Sequence, residues 1–174
     1  MTGLDPTRNV IVEIATLVTD DELEIVAEGP DLVLHATDAQ LAEMVPVVVE
    51  MHDSSGLTEE IRASTLTLAD ASEQTMAFLA QHVAKGEVPL CGNSIGTDRR
   101  FLQEYLPELE SWFHYRNVDV STVKELMKRW RPDVLATAPD KTSTHRAMDD
   151  IRASVAELRH YRSAMFASTE KDSP

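Results

Sequence analysis

A histidine followed closely by two carboxylates can move a proton and hold a cation. The chain carries such a group near its end: Thr144-His145-Arg146-Ala147-Met148-Asp149-Asp150-Ile151. Histidine titrates near neutral pH and can act as a general base, while aspartate oxygens are hard ligands suited to Mg²⁺ or Mn²⁺. Helix geometry bears on which aspartate matters. Met148, Ile151, Val155 and Leu158 define an apolar stripe. At about 100° per residue, Asp150 lies roughly 100° from its centre and Asp149 roughly 160°. That predicts Asp150 at the margin of the core and Asp149 in water, which favours Asp150. Spacing favours Asp149, which follows His145 by one helical turn and shares its face if the helix already includes the histidine. A plain solvated helix start, where aspartates suit the helix dipole, has the same composition.

Two further segments carry candidate chemistry. In Cys91-Gly92-Asn93-Ser94-Ile95-Gly96-Thr97-Asp98-Arg99-Arg100-Phe101, a strand end, two glycines and a helix start bring backbone N–H groups towards one point. That suits a phosphate or a metal-bound anion, with Asp98 on the first helical turn facing the same cleft. In His114-Tyr115-Arg116-Asn117-Val118-Asp119-Val120-Ser121, an arginine precedes a short strand and Ser121 is expected at the N-cap of the next helix. Arg116 and Ser121 could together grip a terminal phosphate.

These residues need a frame. The first third predicts strands at Val10 to Thr19, Leu23 to Ala27 and Leu32 to His35, joined by turns at Asp20-Asp21 and Glu28-Gly29-Pro30 as an antiparallel meander. Thr37 with Gln40 forms a capping-box pattern, opening a helix that Pro46 interrupts and that resumes towards His52. A short helix is expected from Thr58, and a long amphipathic one from Thr67 to Gly86. Val88 to Cys91 reads as a short strand, helices and strands alternate through Trp130, and a last helix runs from near His145 to about Phe166. The implied fold is α/β, a mixed sheet with helices packed on it. Residues 1–166 form one domain, and 167–174 a frayed polar tail.

The whole-chain numbers agree with that frame. At 174 residues the chain can bury roughly two-thirds of its unfolded surface in a single core. No apolar run approaches the ~20 residues that cross a bilayer, and the start lacks the pattern of a secretory signal. With Cys91 the only cysteine, a reducing cytoplasm is the expected home. A net charge of −14 speaks against long nucleic acid held by many phosphate contacts. A small anionic ligand is still admissible, given a local basic pocket or divalent cations.

Taken together, the segments resemble the oligoribonuclease family, DEDDh exonucleases of the ribonuclease-H-like fold. The resemblance runs over nearly the whole chain in order: Met1 to Pro6, Glu13 to Asp20, Ser55-Gly56-Leu57, Cys91 to Phe101, His114 to Leu126 and His145 to Ile151. It implies removal of nucleotides from the 3′ end of very short RNA by hydrolysis at two divalent ions, Mg²⁺ or Mn²⁺. Asp98 and Asp150 are then metal ligands and His145 the general base, which supports Asp150 over Asp149. Leu4 and His52 would stack on the two bases, and Ser94, Arg116 and Ser121 would cap the 5′ phosphate. The resemblance also implies a homodimer, in which Tyr115 completes the partner's site. The family carries an Asp-x-Glu pair on a first, central strand immediately before Met-Thr-Gly-Leu. That strand and pair are not among these 174 residues, and a start placed downstream of the true one, or a truncated copy, is expected. A protein that only binds short nucleotides, or one that trims DNA, is the alternative expectation.

Overall fold

The structure is a computed structural model that describes residues 1–139 and 144–165. The expected tail, 167–174, and residue 166 lie outside the described residues.

Strands β1 (Glu13–Thr19) and β2 (Ile25–Val33) form an antiparallel hairpin. Its turn closes where Asp20 accepts from the amides of Glu22 and Glu24. The meander of three strands is corrected to two. Glu28-Gly29-Pro30 is no turn; the strand continues through it with a register shift between Ala15 and Leu17. Proline has no N–H to give a ladder, and a bulge is where a strand tolerates it. Helices α1 (Asp38–Leu41), α2 (Pro46–Ser54) and α3 (Leu57–Ala63) follow. The Thr37–Gln40 capping box is formed, and Gly56 takes the left-handed φ of +73° that starts α3.

Helix α4 (Leu68–His82) opens on a second capping box between Thr67 and Asp70. It ends at Val83, short of Gly86, because Val83 is already extended and Gly86 belongs to the next turn. Strand β3 (Pro89–Gly92) pairs in parallel with β4 (His114–Asp119), and α5 (Ile95–Tyr105) and α6 (Pro107–Glu110) connect them. Helices α7 (Val120–Trp130), α8 (Pro132–Ala136) and α9 (Ala147–Met165) complete the chain.

The fold is mixed α/β, and both kinds of strand pairing are present. They occur in two separate two-stranded sheets rather than one, among the described residues. The interior divides accordingly, so the single core expected from length is corrected. One cluster gathers Leu34, Ala71, Leu79, Phe101 and Leu109. Another joins Val12, Leu57 and Ile61. A third joins Val120, Met127, Val134 and Tyr161. No described helix is long and apolar enough to cross a membrane.

The hairpin is tied to α9 by arginines. Arg159 donates to the Leu23 carbonyl and pairs with Glu24, Arg162 pairs with Glu22, and Arg152 pairs with Glu28 at 2.6 Å. This fixes the helix that carries Asp150 against the strands that carry Glu13.

Candidate functional site

His145 precedes α9 and has a left-handed φ of +57°. It therefore does not share the helical face of Asp149, and the spacing that favoured Asp149 does not apply. The burial pattern expected from the sequence is also corrected: Asp150 is exposed and Asp149 is half-buried. The reason is the place of Asp150 in the first turn of α9, ahead of the packed part of the helix. Of the expected stripe only Met148 is buried; Ile151, Val155 and Leu158 are half-buried, and Ser154, Glu157 and Tyr161 are the other buried positions. Asp150 heads the row Asp150, Ser154, Glu157, Tyr161, spaced by successive helical turns, where that row emerges from the core. Asp149 accepts instead from Thr144 at 2.6 Å and lies near Arg152.

The start of α9 is pinned by Glu13, a buried carboxylate of β1. It accepts from Arg146 Nε at 2.8 Å and from the Ala147 amide at 2.9 Å. Arg146 also forks onto both oxygens of Glu60. His145 is thereby held by the residue that follows it. His52 of α2 stands near His145 and is only 5% exposed, with Nδ1 lacking a hydrogen-bond partner. Burial, aided by the Met1 amino group, pushes its pKa down to about 4. This side chain, expected to stack on a base, is thus a buried ring that stays neutral above about pH 4.

Asp98 lies on the first turn of α5, as the sequence predicts. Burial pushes its carboxyl up from the ordinary carboxylate range, opposed by its own backbone amide and the Met1 amino group. That amino group is itself buried beside Glu13 and Asp98. A carboxylate disfavoured by burial gains its charge back beside a cation, and its oxygens are hard donors, so the group fits Mg²⁺ or Mn²⁺ in kind. Among the described residues, however, no three His, Cys, Asp or Glu side chains gather as a ready metal cluster.

The side expected to hold phosphate is densely bonded. Ser94 has a left-handed φ of +52°, and its Oγ lies 3.1 Å from Ser121 Oγ. Asn93 Nδ2 donates to Ser121 Oγ at 3.4 Å and to Glu157 Oε2 at 3.2 Å. Glu157 is 3% exposed and also accepts from Tyr161, while Lys124 pairs with it at 3.2 Å. Two expectations change here. The N-cap of α7 is Asp119, and Ser121 lies inside the helix, donating its amide to Asp119 Oδ1 at 2.9 Å. The Ser94 amide donates to the same oxygen, so this N–H is not aimed at a ligand. The aspartate wins the cap because its carboxylate reaches two amides at once. The serine hydroxyls are left at the surface end of the group.

Arg116 is exposed on β4, with its guanidinium 5.4 Å from the ring of Tyr115, which is 74% exposed. Leu4 is 72% exposed on the loop before β1. That loop is stiffened by Asn9, which accepts from the Asp5 amide, and by the Tyr105 hydroxyl, which donates to the carbonyls of Pro6 and Asn9. A side chain at Gly3 would meet the end of the Asn9 side chain and force it to shift. The structure thus brings Ser94 and Ser121 together on one side and His52 and His145 on another.

Residue types and spacing did not single out Glu13, Asn93, Asp119 or Glu157. Each acts through a partner distant in sequence, and no local pattern marks such a partner.

Known proteins match most of the chain. The RNase T exonuclease family matches residues 1–158. The chain is 54% identical to the oligoribonuclease of Marinobacter nauticus over 166 residues, covering 95% of this chain and 92% of that protein. It is 57% identical to the oligoribonuclease of Salmonella typhimurium over 162 residues, covering 93% and 89% respectively. With the oligoribonuclease of Photobacterium profundum it shares 55% over 166 residues, covering 95% and 91%.

Proposed function

Because the chain belongs to the oligoribonuclease family of exonucleases, we propose that it shortens very short RNA, dinucleotides above all, from the 3′ end to mononucleotides. The chemistry is hydrolysis of a phosphodiester bond. Asp98 and Asp150 are the chain's ligands for Mg²⁺ or Mn²⁺. Two such ions held there would supply the positive charge that activates a water and stabilises a leaving 3′ oxygen. His145 takes the proton of that water. Its position is set by Arg146, which is anchored to Glu13 and Glu60. At the other end, Ser94, Ser121 and Arg116 hold the 5′ phosphate, while Leu4 and His52 bound the bases. A ligand gripped at its 5′ end and cut at its 3′ end must be short, which suits a chain of net charge −14 that has few cations for a longer backbone.

The observation that carries this reading is the pairing of Ser94 and Ser121, 3.1 Å apart, in the same structure that puts His145 ahead of α9 and Asp98 on α5. In the homodimer we propose, Tyr115, exposed on β4, would complete the site of the second copy, and a reducing cytoplasm is the setting proposed for the protein.

The test is hydrolysis of a 5′-phosphorylated dinucleotide with Mg²⁺ or Mn²⁺, beside the same assay in EDTA. Metal-dependent release of mononucleotides is expected. Activity that survives EDTA would refute the metal chemistry. A second reading is favoured by the sparse carboxylate set: a chain that binds short nucleotides and cleaves them poorly. Calorimetric binding with no turnover in either metal would select it.

A further inference from the structure

Arg99 follows Asp98 on α5 and has no part in the chemistry above, yet it is the most heavily bonded side chain around the phosphate grip. Its Nε donates to Glu110 Oε1 at 2.7 Å. Its Nη2 donates to the carbonyl of His114 at 3.0 Å. Its Nη1 donates to the carbonyls of Tyr115 at 3.0 Å and Arg116 at 3.3 Å, and to Asn117 Oδ1 at 2.7 Å. The pair with Glu110 is largely buried, at 11% and 19% side-chain exposure.

Strand β4 is irregular where Arg99 reaches it. Pro89 stands opposite His114, and the next residue, Leu90, stands opposite Asn117. Tyr115 and Arg116 therefore have no partners on β3 and form a bulge. Carbonyls in a bulge lose the regular ladder and need other donors. One guanidinium supplies them here for three consecutive residues.

We propose that Arg99 is a positioning residue for nucleotide binding: by capping the bulge carbonyls it sets the direction in which Arg116 and Tyr115 leave the strand. The inference rests on the reading of Arg116 as a ligand of the 5′ phosphate. Arginine suits the task because its donors form a planar fork that can span several acceptors at once. Lysine, a point charge with three donors, cannot span the same set. Glu110 fixes the Nε edge, so the remaining donors point at β4.

The experiment is calorimetric titration of the 174-residue chain in EDTA, where metal-dependent cleavage is stopped, with a 5′-phosphorylated dinucleotide and its 5′-hydroxyl counterpart. Arg99→Gln, Arg99→Lys, Glu110→Gln, Arg116→Ala and the double variant Arg99→Gln/Arg116→Ala are compared with the parent, each after a melting curve. Arg99→Gln is expected to weaken the phosphorylated ligand roughly tenfold, the scale of one charge-assisted hydrogen bond. The hydroxyl ligand should change less than about twofold, and the double variant should lose no more than Arg116→Ala alone. Arg99→Lys should fail to rescue, and Glu110→Gln should give a smaller loss of the same kind. These two carry the comparison if Arg99→Gln does not fold. Equal losses for both ligands, additive losses in the double variant, or full rescue by lysine would overturn the proposal. If Arg116→Ala leaves phosphate discrimination intact, the grip reading falls and this inference with it. If Arg116→Ala removes discrimination while Arg99→Gln and Glu110→Gln keep it, this inference alone falls.

Discussion

The two ends of the candidate site are built in opposite ways. Around Ser94, Ser121 and Arg116, hydrogen bonds run in chains, Asn93 on Glu157, Glu157 on Tyr161 and Arg99 on three carbonyls, although Asn93 Oδ1 is itself buried without a partner. Around Asp98, His145 and Asp150, the second layer is firm, with Arg146 locked between Glu13 and Glu60, but among the described residues no three metal-binding side chains gather. The phosphate end is held by directional hydrogen bonds between residues of this chain, so it is shaped before any ligand arrives. The cleavage end is held by charge. Carboxylates that would share a cation repel one another without it, and a buried one such as Asp98 is pushed towards its protonated form. Binding and turnover should therefore be separable in this protein, and four perturbations test that separation.

The largest effect should come from removing the divalent ion. EDTA should lower dinucleotide hydrolysis by at least about 10²-fold, since even outer partners of a metal site are worth 10- to 100-fold and the ion itself more. Binding of the dinucleotide in EDTA should hardly change. Equal turnover with and without the chelator, measured side by side, would show that the cleavage end works without a cation.

Next come the proposed catalytic groups. His145→Ala should lower kcat by about 10²- to 10⁴-fold, the usual cost of losing a general base. Asp150→Asn should abolish turnover while leaving affinity for the 5′ phosphate in place. Asp149→Asn is the control, since Asp149 is bonded to Thr144 and lies beside Arg152. A damaging Asp149→Asn with a harmless Asp150→Asn would reverse the assignment.

Arg116→Ala acts on the other end. It should raise KM for the phosphorylated dinucleotide by about tenfold and leave kcat within a small factor, because the guanidinium is far from the bond being cut. A fall in kcat with KM unchanged would mean that the two ends are coupled more tightly than their separate bonding suggests.

The smallest effect concerns His52, the buried ring near His145. Its pKa is lowered from the ordinary 6.5 to about 4, chiefly by burial. In that interval the unfolded chain binds a proton that the folded chain refuses. Stability from this group is therefore fully present above about pH 6.5 and declines as pH falls towards 4. Replacing His52 by Asn should flatten the decline of melting temperature between pH 6.5 and pH 4, against a background set by the carboxylates. An unchanged slope would place the titration elsewhere.

Much of this was legible in the chain itself. The Thr37–Gln40 capping box, the helix from Thr67, the strand into Gly92 and the placement of Asp98 on a helical first turn all follow from residues within a few positions of one another. Local hydrogen bonds and backbone preferences decide such features, and both are written in neighbouring residues. The family was legible too, because long motifs in a fixed order are specific even when each alone is weak.

What the tertiary structure decided is everything that depends on a distant partner. Glu28-Gly29-Pro30 has the composition of a turn, yet pairing with β1 carries the strand through it. Ser121 and Asp119 are both good caps, and the choice went to Asp119 because it also reaches the Ser94 amide. The buried side of α9 faces α7 and Asn93 through Ser154, Glu157 and Tyr161, and Asp150, at the head of that row in the first turn, is exposed because the helix start lies beyond those neighbours, where the sequence alone put it at the core margin. Arg99 looks like any charged residue on a helix until β4 comes within reach of its fork. Short-range preferences can be read from the order of residues, whereas burial, charge pairing and the satisfaction of a bulge exist only once segments far apart in the chain are brought together.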